Sequence, residues 1–117
     1  MRPHETLDVW KKSIDFVVAV YQATESFPND EKFGLTSQLR RASVSIPANI
    51  AEGAGRRSSK EFAHFLSNSQ GSASEVDTEL LIANKLAYLA EEKYVSLRAA
   101  LDEIGRMITG LSKSLLR

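Results

Sequence analysis

Apolar residues recur along the chain at spacings of three and four, the period that places side chains on one face of an α-helix. Four segments show such stripes, and none alternates apolar and polar residues as a half-buried strand would. The stripes begin near Leu7, Leu35, Phe62 and Tyr94. Because the connections are short, consecutive helices should run antiparallel. The pattern predicts an all-α fold, a single up-down-up-down antiparallel four-helix bundle over residues 1–117.

Proline, glycine and capping residues mark the expected ends of these helices. Pro28 ends the first helix, and the glycines of residues 53–55 end the second. Ser58 followed by Glu61 has the spacing of a capping box, which satisfies free amides at the start of the third helix. The third stripe continues to Ala87, so we expect a helix of about 30 residues there.

A proline inside the second stripe conflicts with local helix propensity. Pro47 has no amide hydrogen, and its ring clashes with the preceding turn. We therefore expect the bundle to be kinked at Pro47, with the second helix bent or broken around Ser45 and Ile46. A kink of this kind lets a helix wrap around its neighbours, so it indicates no functional site.

The first helix carries two apolar stripes, one more than a monomeric bundle needs. We assign the stripe that contains Trp10 to the core within the chain, because its spacing holds one helix face against a neighbour. The other stripe, with small residues of the second helix, is interpreted as a surface for self-association, since exposed apolar area marks partner sites. The alternative is that packing within one chain covers it. The predicted oligomer interface comprises Val9, Phe16, Val20, Phe27, Val44, Ala48 and Ala51.

Composition narrows the class of protein. The chain has 117 residues, of which 43% are hydrophobic and 26% charged, close to the average for folded globular domains. It lacks an apolar signal segment and any long apolar run, so we expect a cytoplasmic protein. The 15 basic residues balance 15 acidic ones, which argues against a broadly cationic surface but permits a local basic patch.

Residues that could support catalysis are few. There are two histidines, no cysteine and no glycine-rich phosphate loop, so we predict no enzyme, no cofactor and no metal. Glu61 and His64 have the Glu-x-x-His spacing of di-metal bundles, but a second copy of that motif is missing. Glu75 and Glu79 are interpreted as part of a solvated acidic face.

Basic residues between positions 40 and 60 are the strongest candidate for a binding site. They are opposed by only one acidic residue, Glu52, and part of the group precedes the third helix, whose amino terminus favours phosphate. Arginine also provides forked donors for phosphate oxygens. The predicted nucleic-acid-binding residues are Arg40, Arg41, Arg56, Arg57 and Lys60.

Several segments together resemble a known family. They are Leu7-Asp8-Val9-Trp10-Lys11, Phe33-Gly34-Leu35-Thr36-Ser37-Gln38-Leu39-Arg40-Arg41-Ala42, Ser45-Ile46-Pro47-Ala48-Asn49-Ile50-Ala51-Glu52-Gly53 and Gly55-Arg56. The chain resembles the small bacterial four-helix-bundle proteins encoded in intervening sequences of large-subunit ribosomal RNA genes. This resemblance implies a homopentameric ring without known enzymatic activity.

A related branch of that family extends the functional implication. The accessory variability determinant of diversity-generating retroelements is similar in fold, and it binds a reverse transcriptase and nucleic acid. Two functions remain open. One is a non-catalytic homo-oligomeric RNA or ribonucleoprotein accessory module, in which Arg40, Arg41, Arg56 and Arg57 would be contact positions. The other is a structural or protein-interaction bundle without nucleic-acid contact.

Overall fold

Four helices form the structure, a computed structural model that describes residues 1–117. They are α1 (Asp8–Thr24), α2 (Leu35–Ala54), α3 (Ser59–Lys85) and α4 (Glu91–Leu115). Short 3-10 turns at Pro3–Thr6 and Asn29–Glu31 precede α1 and α2. Each helix packs on its neighbours in sequence, and α4 closes against α1 in a body of 44 × 22 × 21 Å. The predicted all-α four-helix bundle is confirmed.

The helices differ from transmembrane segments in their composition. None of the four combines the length with the apolar character that crossing a membrane requires.

The amino-terminal end of α3 lies where the sequence predicts it, whereas the carboxyl-terminal end does not. The Ser58 hydroxyl accepts a hydrogen bond from the Glu61 amide at 3.1 Å, which is the predicted cap. At the carboxyl end α3 stops at Lys85, two residues earlier than expected. Ala87 adopts a left-handed conformation with φ of 63°, and the Asn84 amide donates to the Leu89 carbonyl at 3.2 Å. These local contacts hold a turn that propensity alone does not indicate.

Pro47 lies buried inside an unbroken α2, so the helix does not break there as the sequence allowed. Side chains satisfy the carbonyl groups next to the proline. The Asn49 amide donates to the Ser45 carbonyl at 2.9 Å, and the Ser69 hydroxyl of α3 donates to the Ile46 carbonyl at 3.0 Å. Neighbouring hydrogen bonds therefore support the helix through the residue that interrupts its own ladder.

Twenty apolar side chains from the four helices and their connections form one core cluster, and its α1 members correct the sequence interpretation. The predicted interface stripe of the first helix is buried within the chain. The stripe that contains Trp10, which was assigned to the core, is only partly buried or is exposed. The buried residues are Val9, Phe16, Val20 and Phe27.

Two hydroxyl groups explain why the α1 prediction was wrong. Ser13 and Thr24 share the buried face, which makes that face look less apolar in sequence. Their hydroxyls donate to the carbonyls of Val9 and Val20, four residues earlier, at 2.7 and 2.8 Å. A hydroxyl that bonds its own helix in this way can be buried at little cost.

Close packing between α2 and α3 is centred on Gly53. A Cβ atom at this position would lie 2.8 Å from both Phe62 Cδ1 and Phe65 Cβ. The glycine is buried, so these two aromatic residues occupy the space that a side chain would need. The absence of a side chain at position 53 therefore sets how closely the two helices approach.

Replacing Gly53 with alanine should destabilise the protein. We expect Gly53→Ala to lower the free energy of unfolding by about 1 to 3 kcal/mol, because the added methyl group overpacks the α2–α3 contact. Gly71→Ala is the matched control: nothing lies within 4 Å of its Cβ position inside α3. That change should raise stability by about 0.5 to 1 kcal/mol through helix propensity. Urea denaturation followed by circular dichroism tests both, and equal stability of the two variants would contradict the close approach.

Candidate nucleic-acid and oligomer interfaces

The five predicted nucleic-acid-binding residues do not form one patch. Arg40 and Arg41 lie in the amino-terminal half of α2, whereas the other three flank the turn between α2 and α3. At the helical rise of about 1.5 Å per residue, the two groups are separated by roughly 20 Å. We call the second group, Arg56, Arg57 and Lys60, the basic turn.

Arg40 holds α1 and α2 together. Its Nε donates to the Thr24 hydroxyl at 2.8 Å, and its Nη2 donates to the Tyr21 carbonyl at 3.2 Å. The guanidinium carbon lies 4.6 Å from the Tyr21 ring centroid, a cation–π contact. Two of the donors of Arg40 are therefore engaged at the carboxyl end of α1, apart from the other predicted residues, and contact of Arg40 with nucleic acid stays a prediction. Arg41, the next residue, is exposed and forms no ion pair.

The basic turn presents cations at one end of the bundle. Arg56 pairs with Glu52 at 2.7 Å and lies 4.7 Å from the Phe65 ring centroid. Arg57 and Lys60 are exposed and take part in no ion pair. An exposed pair like that of Arg56 is worth little in water, so its guanidinium can exchange partners.

A depression of about 370 Å³ adjoins the basic turn. It is lined by Arg56, Lys60, Glu61, His64 and Phe65. The positive end of α3 opens beside it, and the dipole of a helix favours anions there. The arrangement can attract phosphate groups by charge, while it offers no row of aromatic faces for stacking bases.

Glu61 and His64 have no third metal-ligating side chain beside them. Both side chains are exposed, and no group of three or more histidine, aspartate or glutamate side chains is placed to hold a metal ion. Glu61 acts through its backbone, as the residue whose amide is capped by Ser58.

An exposed apolar surface runs along α1 and α2. Ile14, Val18 and Tyr21 of α1 are exposed, with Val18 at 51%. Because Arg40 touches Tyr21 and the helices are antiparallel, Val44 of α2 lies at the level of Val18. Ala48 continues the row on α2. We call these five residues the α1–α2 face.

Part of the predicted oligomer interface belongs to this face. Val44 and Ala48 are exposed, and Ala51 is half-buried, so the α2 residues are available for contact. The α1 residues are not, because they lie in the core. The exposed α1 residues that the sequence interpretation did not include are Ile14 and Tyr21, which it placed in the core stripe with Trp10, and Val18, which it placed in neither stripe.

A second row of residues lies at the carboxyl end of α3 and continues into the turn that follows it. Ile82 and Leu86 are exposed, and Phe33, at the same end of the bundle, is 89% exposed. Glu79 precedes Ile82 by three residues. We call Glu79, Ile82 and Leu86 the α3 row.

Glu79 is the unexpected residue of this row. Its side chain is only 7% exposed, and its Oε1 atom is shielded from solvent without a hydrogen-bond partner. Burial, and secondly the charge of Glu75, raise the pKa of Glu79 to about 7. The predicted solvated acidic face is correct for Glu75, which is exposed, and wrong for Glu79. The sequence did indicate this burial, because Glu79 lies three residues after Val76 and four residues before Ala83, and both of these are buried.

Comparison with known proteins identifies similar chains. A family model described as 23S rRNA-intervening sequence protein matches residues 5–110. The crystal structure of a protein of unknown function from the S23 ribosomal protein family of Bacteroides thetaiotaomicron is also similar. It shares 26% sequence identity with a TM-score of 0.81, over 90% of this chain and 98% of that one. No curated protein matches the chain.

The raised pKa of Glu79 predicts a pH-dependent stability of the single chain. The folded state holds this proton up to about pH 7, whereas an unfolded glutamate releases it near 4.5. Stability from this group is therefore complete below pH 4.5 and is lost as the pH rises through 7. The loss is about 3 kcal/mol, at 1.36 kcal/mol per pKa unit.

Glu79→Gln tests this pH dependence. It should leave stability nearly unchanged at pH 4.5 and increase it by roughly 2 to 3 kcal/mol at pH 8, because the amide cannot ionise. Denaturation should be followed by Trp10 fluorescence at a concentration where light scattering gives the mass of one chain. Glu75→Gln serves as the control, with a smaller effect. Equal gains from Glu79→Gln at both pH values would contradict burial of the carboxyl group.

Proposed function

We propose that this chain, because it belongs to the 23S rRNA-intervening sequence protein family, is a non-catalytic homo-oligomeric helical bundle that acts as an RNA or ribonucleoprotein accessory module. The proposal includes assembly as a ring of five and a cytoplasmic location, where such RNA partners are found. The exposed basic turn is the observation that carries the RNA part of the proposal.

Two features support electrostatic RNA binding at the basic turn. Arg57 and Lys60 have no acidic partner, and the cation of Arg56 is held by an exposed pair only. The turn lies at an end of the bundle, where a phosphate backbone can approach without displacing a helix. Cations that contact phosphates give affinity without reading the sequence of bases.

The α1–α2 face supports self-association. Its exposed apolar residues extend over two adjacent helices, and removing apolar area from water gains about 25 cal/mol per Å². Contiguous surfaces of this kind are uncommon on monomeric proteins and mark interaction sites. A second copy of the same chain is the most common partner.

A structural or protein-interaction bundle without nucleic-acid contact is the alternative. The engagement of Arg40 with α1 and of Arg56 with Glu52 favours it, because two of the five predicted contact residues already have partners within the chain. A measurement of RNA binding distinguishes the two proposals directly.

The RNA proposal predicts binding that falls steeply with salt. Binding of a single-stranded RNA should be measured by fluorescence anisotropy across a salt series. The logarithmic slope should be about 0.7 per phosphate contacted. Arg57→Ala combined with Lys60→Ala should weaken binding to unrelated RNAs by similar factors and reduce the slope by about 1 to 2.

The matched control removes two cations from the other end of the bundle. Lys85→Ala combined with Lys93→Ala changes the net charge by the same amount, and both residues are exposed. If this control weakened RNA binding as much as the basic-turn variant, the assignment of RNA binding to the basic turn would be wrong. Absence of binding even at low salt would favour the alternative.

Self-association should depend on the exposed apolar residues and not on Phe16. Val18→Glu combined with Val44→Glu should reduce the mass measured by light scattering, while helical circular dichroism is retained, because both side chains are exposed. Phe16→Glu should instead unfold the chain, since it places a charge in the core. An unchanged mass for the Val18 and Val44 variant would exclude this face.

A further inference from the structure

The depression beside the basic turn contains an acidic side chain that phosphate binding does not need. Glu61 lines it together with Arg56, Lys60, His64 and Phe65. A carboxylate repels phosphate oxygens, so this residue weakens a surface that attracts phosphates alone. An acceptor placed among cations fits a ligand that brings hydrogen-bond donors as well as phosphates.

The fold does not use the Glu61 carboxylate. In a complete capping box this carboxylate would accept a hydrogen bond from the Ser58 amide. Only the reverse bond is formed, from the Glu61 amide to the Ser58 hydroxyl. Glu61 is also exposed and takes part in no ion pair. Both of its carboxylate oxygens are therefore available to a ligand.

Arg56 provides a flat surface in the same depression. Its guanidinium carbon lies 4.7 Å from the Phe65 ring centroid, and its Nη2 pairs with Glu52 at 2.7 Å. The ion pair engages an edge of the guanidinium and leaves its planar faces for stacking. Since the side chain is 44% exposed, the face turned away from Phe65 is open to a ligand. Arginine planes of this kind stack with unpaired RNA bases.

The size of the depression suits a single base. Its volume of about 370 Å³ lies within the roughly 300 to 1,000 Å³ that is common for small-molecule sites. The His64 ring meets the edge of Phe65, with centroids 5.7 Å apart, and forms a further wall. One base fits here, whereas a stack of several bases finds no second flat surface.

We propose that this depression binds one unpaired guanine of an RNA strand, with the Glu61 carboxylate accepting hydrogen bonds from guanine N1–H and from the exocyclic amino group. Guanine is the common RNA base whose Watson–Crick edge presents two adjacent donors, which one carboxylate accepts together. The base stacks on Arg56, and the flanking phosphates lie near Arg57 and Lys60. The inference rests on the RNA binding proposed above and names the nucleotide that the basic turn recognises.

This contact adds discrimination between bases to an affinity that is otherwise set by charge. The other three bases can stack on the same guanidinium, but each leaves a carboxylate oxygen without a donor. The depression is open to water, so the preference should lie in the lower part of the range for bidentate base contacts. We expect guanine to bind about 5- to 20-fold tighter than adenine at the same position.

Fluorescence anisotropy with short uridine-rich RNAs tests the inference. One strand carries a single central guanine, and matched strands carry adenine, inosine or uridine there. Inosine retains N1–H and lacks the amino group, so its affinity should lie between those of guanine and adenine. Glu61→Gln should remove most of the preference for guanine over adenine, because the side-chain amide offers one acceptor oxygen in place of two. Arg57→Ala should instead weaken all four strands by similar factors.

The matched control for Glu61→Gln removes an acidic charge from the other end of the bundle. Glu92 is an exposed glutamate in the first turn of α4. Glu92→Gln changes the net charge by the same amount, and it should leave the ratio of guanine to adenine affinity unchanged. Helical circular dichroism should be retained in both variants, because the Ser58 cap binds the backbone amide of Glu61 and not its side chain.

The possible failures can be told apart. RNA binding without a guanine preference, or with a preference that a folded Glu61→Gln variant keeps, would overturn the guanine site and leave RNA binding standing. Equal affinity for the guanine and inosine strands would overturn the two-donor contact even if Glu61→Gln did not fold. Guanosine monophosphate that bound as tightly as the guanine strand would overturn RNA as the source of the base. No RNA binding at any salt concentration would overturn both proposals.

Discussion

The close approach of α2 and α3 determines most of the other features of this protein. At one end Gly53 lets the helices meet across Phe62 and Phe65. In the middle Ser69 bonds the carbonyl beside Pro47, which supports the helix at its weakest point. The turn between the two helices spans residues 55–58 and places Arg56 and Arg57 at the Gly53 end of the bundle. The same proximity buries Glu79 two turns beyond Ser72.

Periodicity predicted the helices because their number, order and approximate ends depend on local properties. Neighbouring positions in the sequence show the turn residues, the capping serine and the apolar residues spaced three and four apart. The choice between the two stripes of α1 is different, because both are helical and only packing selects one. Ser13 and Thr24 made the buried stripe look partly polar, yet each hydroxyl bonds a carbonyl of its own helix. The left-handed turn at Ala87 was missed for a related reason, since contacts of Asn84 hold it.

The candidate sites show the same limit of sequence reasoning. Arg40 and Arg41 are adjacent in sequence, but successive helical residues point about 100° apart, so one joins α1 and the other faces solvent. Counting charge between positions 40 and 60 therefore combined residues with different roles. Glu79 was misassigned because a charged residue at the edge of a buried row is usually exposed. The spacing to Val76 and Ala83 was visible, whereas the proximity of α2 that buries the carboxyl group was not.

The proposed α1–α2 interface and the basic turn are compatible because they occupy different parts of the molecule. The α1–α2 face lies along the side of the bundle, whereas Arg57 and Lys60 lie at an end. Copies packed side by side around a common axis would therefore leave every basic turn free and place all of them on one rim. A chain with no net charge would then present a concentrated cationic ring, and several weak phosphate contacts acting together would bind far more tightly than one. Under the arrangement proposed above, assembly would convert a neutral bundle into a nucleic-acid-binding surface.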